Sequence, residues 1–115
     1  MKLTLTPLKH IPMVHTGDKI AEMILRALEA EEIFLMDGDI LVVTQKIVSK
    51  AEGRWVNLAE VKPSQRALEL SEQIEKDARL VELVLSESNQ VLRTRPGTII
   101  VEHRLGFVCA NGGID

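Results

Sequence analysis

Apolar and polar residues alternate from Lys2 to Thr6 and stop at Pro7, which is the period-two signature of a strand. A polar loop follows, with Pro12 and Gly17 as breakers. The spacing then lengthens. Behind Asp18, a residue suited to cap a helix, Ile20, Met23, Ile24, Ala27 and Leu28 fall at i, i+3, i+4, i+7 and i+8, the stripe of a helix lying on a core. Ile33 to Met36 make a short apolar link, and Asp37-Gly38-Asp39 is turn chemistry. It leads into Ile40-Leu41-Val42-Val43, a solid and largely β-branched block that reads as a strand buried on both faces.

From Thr44 the block changes character. Thr44, Gln45, Lys46, Ser49 and Lys50 interleave with Ile47 and Val48, and the stretch closes on Gly53-Arg54. Ser49 to Glu52 has capping-box spacing, but Gly53 follows at once and no apolar helical stripe comes after, so a strand end and a turn are expected. On such a strand Ser49 and Lys50 point to opposite faces, which disfavours a Ser-Lys catalytic dyad. Donors and positive charge at the end of a rigid buried strand suit an anionic ligand.

Farther on, Ser64 behind Pro63 starts a helix with Ala67, Leu70 and Ile74 on one face. Asp77 can cap a second, carrying Leu80, Val81, Val84, Leu85 and Ser88. Residues 90 to 95 alternate again, Pro96-Gly97 turns the chain, and 98 to 102 and 103 to 108 read as strands. The elements add up to one α+β domain: a mixed, largely antiparallel sheet flanked by about three helices.

Composition is that of an ordinary globular domain, 45% hydrophobic and 27% charged. No apolar run is long enough for a membrane span and the N-terminus has no signal-like core, so the cytoplasm is the expected location. The net charge of −3 conceals a pattern. Residues 42 to 56 and 90 to 106 each carry three cations against one carboxylate, whereas the helical stretches are acidic. With no Tyr, one Trp and two Phe, there is no stacking platform for bases, and a local pocket for phosphates or carboxylates fits better than a nucleic-acid surface. His10 and His15 lack metal-ligand spacing and belong to loop solvent. Cys109, alone in an apolar run, reads as a packed thiol. The end, Asn111-Gly112-Gly113-Ile114-Asp115, is a glycine turn followed by a carboxylate, either a plain turn or part of a Mg²⁺ or Mn²⁺ site beside phosphates.

Taken together, Ile11-Pro12-Met13-Val14, Gly17-Asp18, D-G-D-I-L-V-V-T-Q-K-I-V-S-K-A-E-G-R at 37 to 54, K-P-S at 62 to 64 and G-F-V-C-A-N-G-G-I-D at 106 to 115 resemble the N-terminal half of the coenzyme F420-0:L-glutamate (gamma-glutamyl) ligase family. The resemblance runs through the whole chain. It implies a GTP-dependent ligase that joins L-glutamate to coenzyme F420-0 through an acyl phosphate, with Mg²⁺ or Mn²⁺, K⁺ as a further candidate, and a homodimer. By position it places the Ile11, Pro12, Met13, Val14 loop on the nucleotide, Gln45 and Lys46 on its phosphates or ribose, Lys50 as a phosphate cation and Asp115 as a metal ligand. No catalytic residue is assigned.

Two departures stand out. Gly112 occupies a position that is more often alanine in the family, and the Asn that follows the family's Asp, like the second half with its further acidic ligands, is absent from these 115 residues. A truncated, cleaved or split ligase is therefore the first expectation. A phosphate-binding or nucleotide-binding module without turnover is the alternative, and a dimerising fragment the third.

Overall fold

The computed structural model describes residues 1–115, in two compact units, Met1–Trp55 and Val56–Asp115. Four α-helices and a three-stranded antiparallel sheet make it α+β. No helix is long and apolar enough to cross a membrane.

The second unit is built where its sequence pattern pointed. A 3-10 turn at Leu58–Glu60 precedes α3 (Gln65–Ile74) and α4 (Ala78–Ser86). Ser64 caps α3, its hydroxyl accepting from the Ala67 amide at 3.2 Å. Glu82 on α4 accepts from the Ser64 amide at 2.7 Å and ties the two helices together. The Ser64 hydroxyl, and after it that amide bond, lower the Glu82 carboxyl below its usual range. Asp77 caps α4 through the Arg79 amide at 2.8 Å. β1 (Ser88–Arg95), β2 (Thr98–His103) and β3 (Val108–Ala110) follow in simple order, with β2 central. The third strand starts later than its pattern suggested, because 104 to 107 turn the chain instead.

The inward residues of β2, Ile99 and Val101, are fully buried against Ala67 and Ile74 of α3 and Val81 and Val84 of α4. Leu70, Leu85, Val91, Cys109 and Ile114 pack around them, which leaves Cys109 a packed thiol. His103 closes one end of this core, buried and stacked on Phe107 with ring centroids 4.5 Å apart. The terminal turn Asn111–Gly113 belongs to the same packing. The Asn111 Oδ1 accepts from the Ile99 amide at 3.1 Å. Gly112, at φ 60°, lies so close that a Cβ would stand 3.6 Å from Val84, an ordinary contact.

In the first unit α1 (Ile20–Ala30) presents the expected face, with Ala27 and Leu28 buried. Its N-cap is Lys19 and not Asp18, whose carboxylate instead holds the preceding turn by accepting from the His15 amide at 2.7 Å. Three other expectations fail here. Residues 2 to 6 form no strand. Nor do Ile40 to Val43, and far from being buried, Ile40 is 85% and Val42 86% exposed. A strand is secured by pairing its amides and carbonyls with a neighbour, and the only sheet here is β1 to β3 of the other unit. The expected strand end and turn after Thr44 is instead a helix, α2 (Gln45–Ala51).

Two changes test this architecture. Ile74→Ala should destabilise the chain by about 2–5 kcal/mol by opening a cavity in the core, whereas Ile40→Ala should stay within about 0.5 kcal/mol, both read by urea unfolding. The Arg79 side chain and amide draw the Asp77 carboxyl down from its ordinary 3.8 to about 2. A folded-state value below the unfolded one means the cap contributes fully above pH 4 or so and is lost as pH falls toward 2. The thermal midpoint should drop across that window in the wild type, less so at high salt because the pair is exposed, and Asp77→Asn should remove that part of the drop.

Candidate functional site

A recess of about 390 Å³ opens in the first unit, lined by Ile11, Pro12, Met13, Val14, Thr44, Lys46, Ile47 and Lys50. Two segments make it: the loop ahead of α1, and the N-cap and one face of α2 (Gln45–Ala51). The loop is fastened at both ends. Glu31, the C-cap of α1, accepts from the amides of Lys9 and His10 at 2.7 and 3.1 Å and lies 3.1 Å from the His10 Nδ1. Its side chain is only 12% exposed. Burial alone would raise that carboxyl, but the two amides and the His10 ring together hold it below its usual value. Val14, 8% exposed, is the buried residue at the far side of the loop.

The same loop is then stitched to the end of α2. Thr16 donates its hydroxyl to the Lys50 carbonyl at 3.3 Å, and Gly17 donates its amide to the Ala51 carbonyl at 2.8 Å. These are carbonyls of the last helical turn, which have no partner inside the helix. The helix itself stops in a Schellman arrangement. The Gly53 amide donates to the Lys50 carbonyl at 3.0 Å and the Arg54 amide to the Ser49 carbonyl at 2.9 Å, with Gly53 left-handed at φ 67°.

On α2 the recess takes Thr44, Ile47 and Lys50, spaced by three, with Lys46 four before Lys50. Thr44 heads the helix without a side-chain capping bond. The Lys50 ammonium lies 3.9 Å from the Met13 sulfur, so this cation reaches the loop. Ser49 donates its hydroxyl to the Gln45 carbonyl at 2.7 Å, a bond to the preceding turn that further disfavours Ser49 as the partner of Lys50 in a dyad.

Of the residues expected to meet a nucleotide, Ile11, Pro12, Met13, Val14, Lys46 and Lys50 share this recess, and Gln45 does not line it. Thr44 and Ile47 join them, and were not singled out as site residues; helical spacing from Lys50 is the signal that finds them. Asp115 is exposed in the second unit. No group of three or more His, Cys, Asp or Glu side chains gathers to hold a metal. A single carboxylate falls short of a Mg²⁺ or Mn²⁺ donor set, so these residues do not by themselves fit the ion. Two cations, a hydroxyl and an apolar floor suit a phosphorylated ligand with a nonpolar portion.

A family model described as F420-0:gamma-glutamyl ligase matches residues 9–115. A coenzyme F420:L-glutamate ligase of Methanothermobacter thermautotrophicus is 46% identical over all 115 residues, which cover 46% of its own length. The proteins of that name from Archaeoglobus fulgidus and Methanopyrus kandleri are 41% identical over 115 residues and 44% over 102, covering 44% and 38% of their lengths. The chain thus spans less than half of the curated relatives it matches.

The tightest contact in the stitch yields a test. A Cβ on Gly53 would stand 2.8 Å from the Thr16 Cγ2. Gly53→Ala should lower stability by at least the roughly 1–2 kcal/mol of a left-handed alanine, and the steric excess should disappear in a Thr16→Ser background, which lacks that methyl. A double-mutant cycle by thermal unfolding reads the difference.

Proposed function

The chain belongs to the F420-0:gamma-glutamyl ligase family, and we propose that it supplies nucleotide-phosphate contacts to an enzyme that joins L-glutamate to coenzyme F420-0 using GTP. The observation that carries this reading is the shared recess of the Ile11–Val14 loop with Lys46 and Lys50. Its volume of about 390 Å³ lies near the lower end of small-molecule sites, which run from roughly 300 to 1,000 Å³.

In the proposed reaction a carboxylate oxygen of F420-0 attacks the γ-phosphorus of GTP, and the bond to the bridging oxygen breaks with GDP leaving. The amine of L-glutamate then attacks the acyl carbon, phosphate departs, and the nitrogen loses its proton. Negative charge crowds at the transferring phosphoryl group throughout, so the chemistry needs fixed cations more than it needs a reactive side chain. Lys50 meets that need in the proposal, its ammonium being held beside Met13, and Lys46 supports it from one turn earlier. Gln45 keeps its proposed place on the phosphates or ribose only from the flank of the recess. Asp115 would offer one carboxylate to the Mg²⁺ or Mn²⁺ ion.

A second reading, that this chain binds the nucleotide without turnover by itself, is favoured by the incomplete metal donor set. Both readings predict GTP binding. Lys50→Ala should weaken it by about 1.5–3 kcal/mol, the worth of a charge-assisted hydrogen bond, or roughly 10- to 150-fold in Kd. A fluorescence titration with a labelled GTP measures this, and unchanged affinity would remove Lys50 from the site. Glutamate addition to F420-0, assayed with the chain alone and with a separately expressed second half of a relative, separates the two.

A further inference from the structure

The second cationic stretch lies on the sheet of the second unit, and the ligase reading leaves it unused. β1 and β2 pair through Arg93 with Ile100, Thr94 with Ile99 and Arg95 with Thr98. Ile99 is on the inward face, fully buried, so Ile100 and Thr98, and with them Arg93 and Arg95, are on the outward one. A register shift between Val91 and Arg93 precedes the pair. Bulges of this kind bend a strand and re-aim its side chains. Arg93, Thr94, Arg95 and Ile100 line a recess of about 280 Å³. Across β2 from Arg93, Ile100 pairs with Ala110 of β3, a side chain too small to fill the face.

Charge is what makes this surface unusual. Two guanidiniums two residues apart on one strand face repel, and a neighbouring carboxylate would normally answer them. Here the carboxylate of the outward face, Glu102, is farther along β2 and is taken by the Asn89 and Gln90 amides at 3.0 and 2.8 Å. Glu87 answers Arg104 at 2.9 Å, and Asp77 answers Arg79 at 2.6 Å. Lys76, hydrogen-bonded to the Gly97 carbonyl at 3.3 Å, adds a third cation at the tip of the same hairpin.

We propose that Arg93 and Arg95 form a binding site for an oxyanion, the phosphate or carboxylate of a small-molecule ligand, on the outward face of the β1–β2 hairpin. Guanidinium forks match both groups with paired hydrogen bonds, and the strand holds them at a fixed separation. Ile100, across from Arg93 on β2, offers an apolar contact to the body of the ligand. The site does not depend on the nucleotide reading, which concerns the other unit.

Nuclear magnetic resonance of the isotope-labelled 115-residue chain tests it, titrating inorganic phosphate in one arm and L-glutamate in another. The Arg93 and Arg95 Nε–H signals and the Ile100 amide should move together and saturate in at least one arm. Saturation with phosphate alone identifies a phosphate ligand, and with glutamate alone a carboxylate. Arg93→Gln and Arg95→Gln, both exposed and so compatible with folding, should each weaken saturation at least 10-fold, while Lys50→Ala leaves it unchanged. Shifts that stay linear in both arms, or that match those of the glutamine variants, would overturn the proposal and leave the arginines as edge-strand charge. Shifts at Ile100 and Val108 that follow protein concentration without added anion would overturn it too, in favour of an interface between copies.

Discussion

The candidate site rests on one backbone bond, from the Gly17 amide to the Ala51 carbonyl. The first unit has little core to enforce its geometry, with Val14, Ala27 and Leu28 as its buried hydrophobic residues. Polar satisfaction does what packing cannot. The last carbonyls of a helix need partners, and here Gly17 and Thr16 provide them, so ending α2 and positioning the loop are one event. Glu31 fixes the other end of the loop in the same currency of backbone amides. Gly53 is the third part of this arrangement. A side chain there would strike Thr16, and with it the bond that joins loop to helix.

Much of the second unit was legible because its signals are local. Ser64 and Asp77 announce helices by the chemistry of their own side chains, and the β1–β2 hairpin follows from alternation around Pro96-Gly97. The Ile40–Val43 strand was not legible in this sense, because a strand is a relation between segments. β-branched composition marks a segment able to pair, and Ile40–Val43 joins none of the strands of the β1–β3 sheet. The result is an exposed apolar run, which Phe34, Met36 and Trp55 of the same unit share.

The sequence signal for α2 lies at its C-terminal end, not at Ser49. Gly53 does not stop a helix starting at Ser49; it stands one residue past the C-cap of a helix that ends at Ala51. The pairing of Lys46 with Lys50 survives the change from strand to helix for a geometric reason. Residues four apart share a face in a strand and in a helix alike. Gln45 has no such protection: it faces away from both lysines in a strand, sits about 100° around the axis from Lys46 in a helix, and is missing from the lining. Thr44 and Ile47 become visible only with the helical period.

The charge pattern, finally, says more than the net charge. The acidic surplus lies in residues 1 to 41 and 57 to 89, while the two stretches of cationic surplus each lie beside a recess, Lys46 and Lys50 in one unit and Arg93 and Arg95 in the other. Their side chains differ in kind. Lysine offers a compact charge on a flexible stem and follows a phosphate without fixing its orientation, whereas arginine imposes a planar, two-pronged geometry. A loop-and-helix recess with lysines thus suits a group that must change its bonding during reaction, since the ammonium can move with the charge. A strand with two arginines suits a group that must be held still.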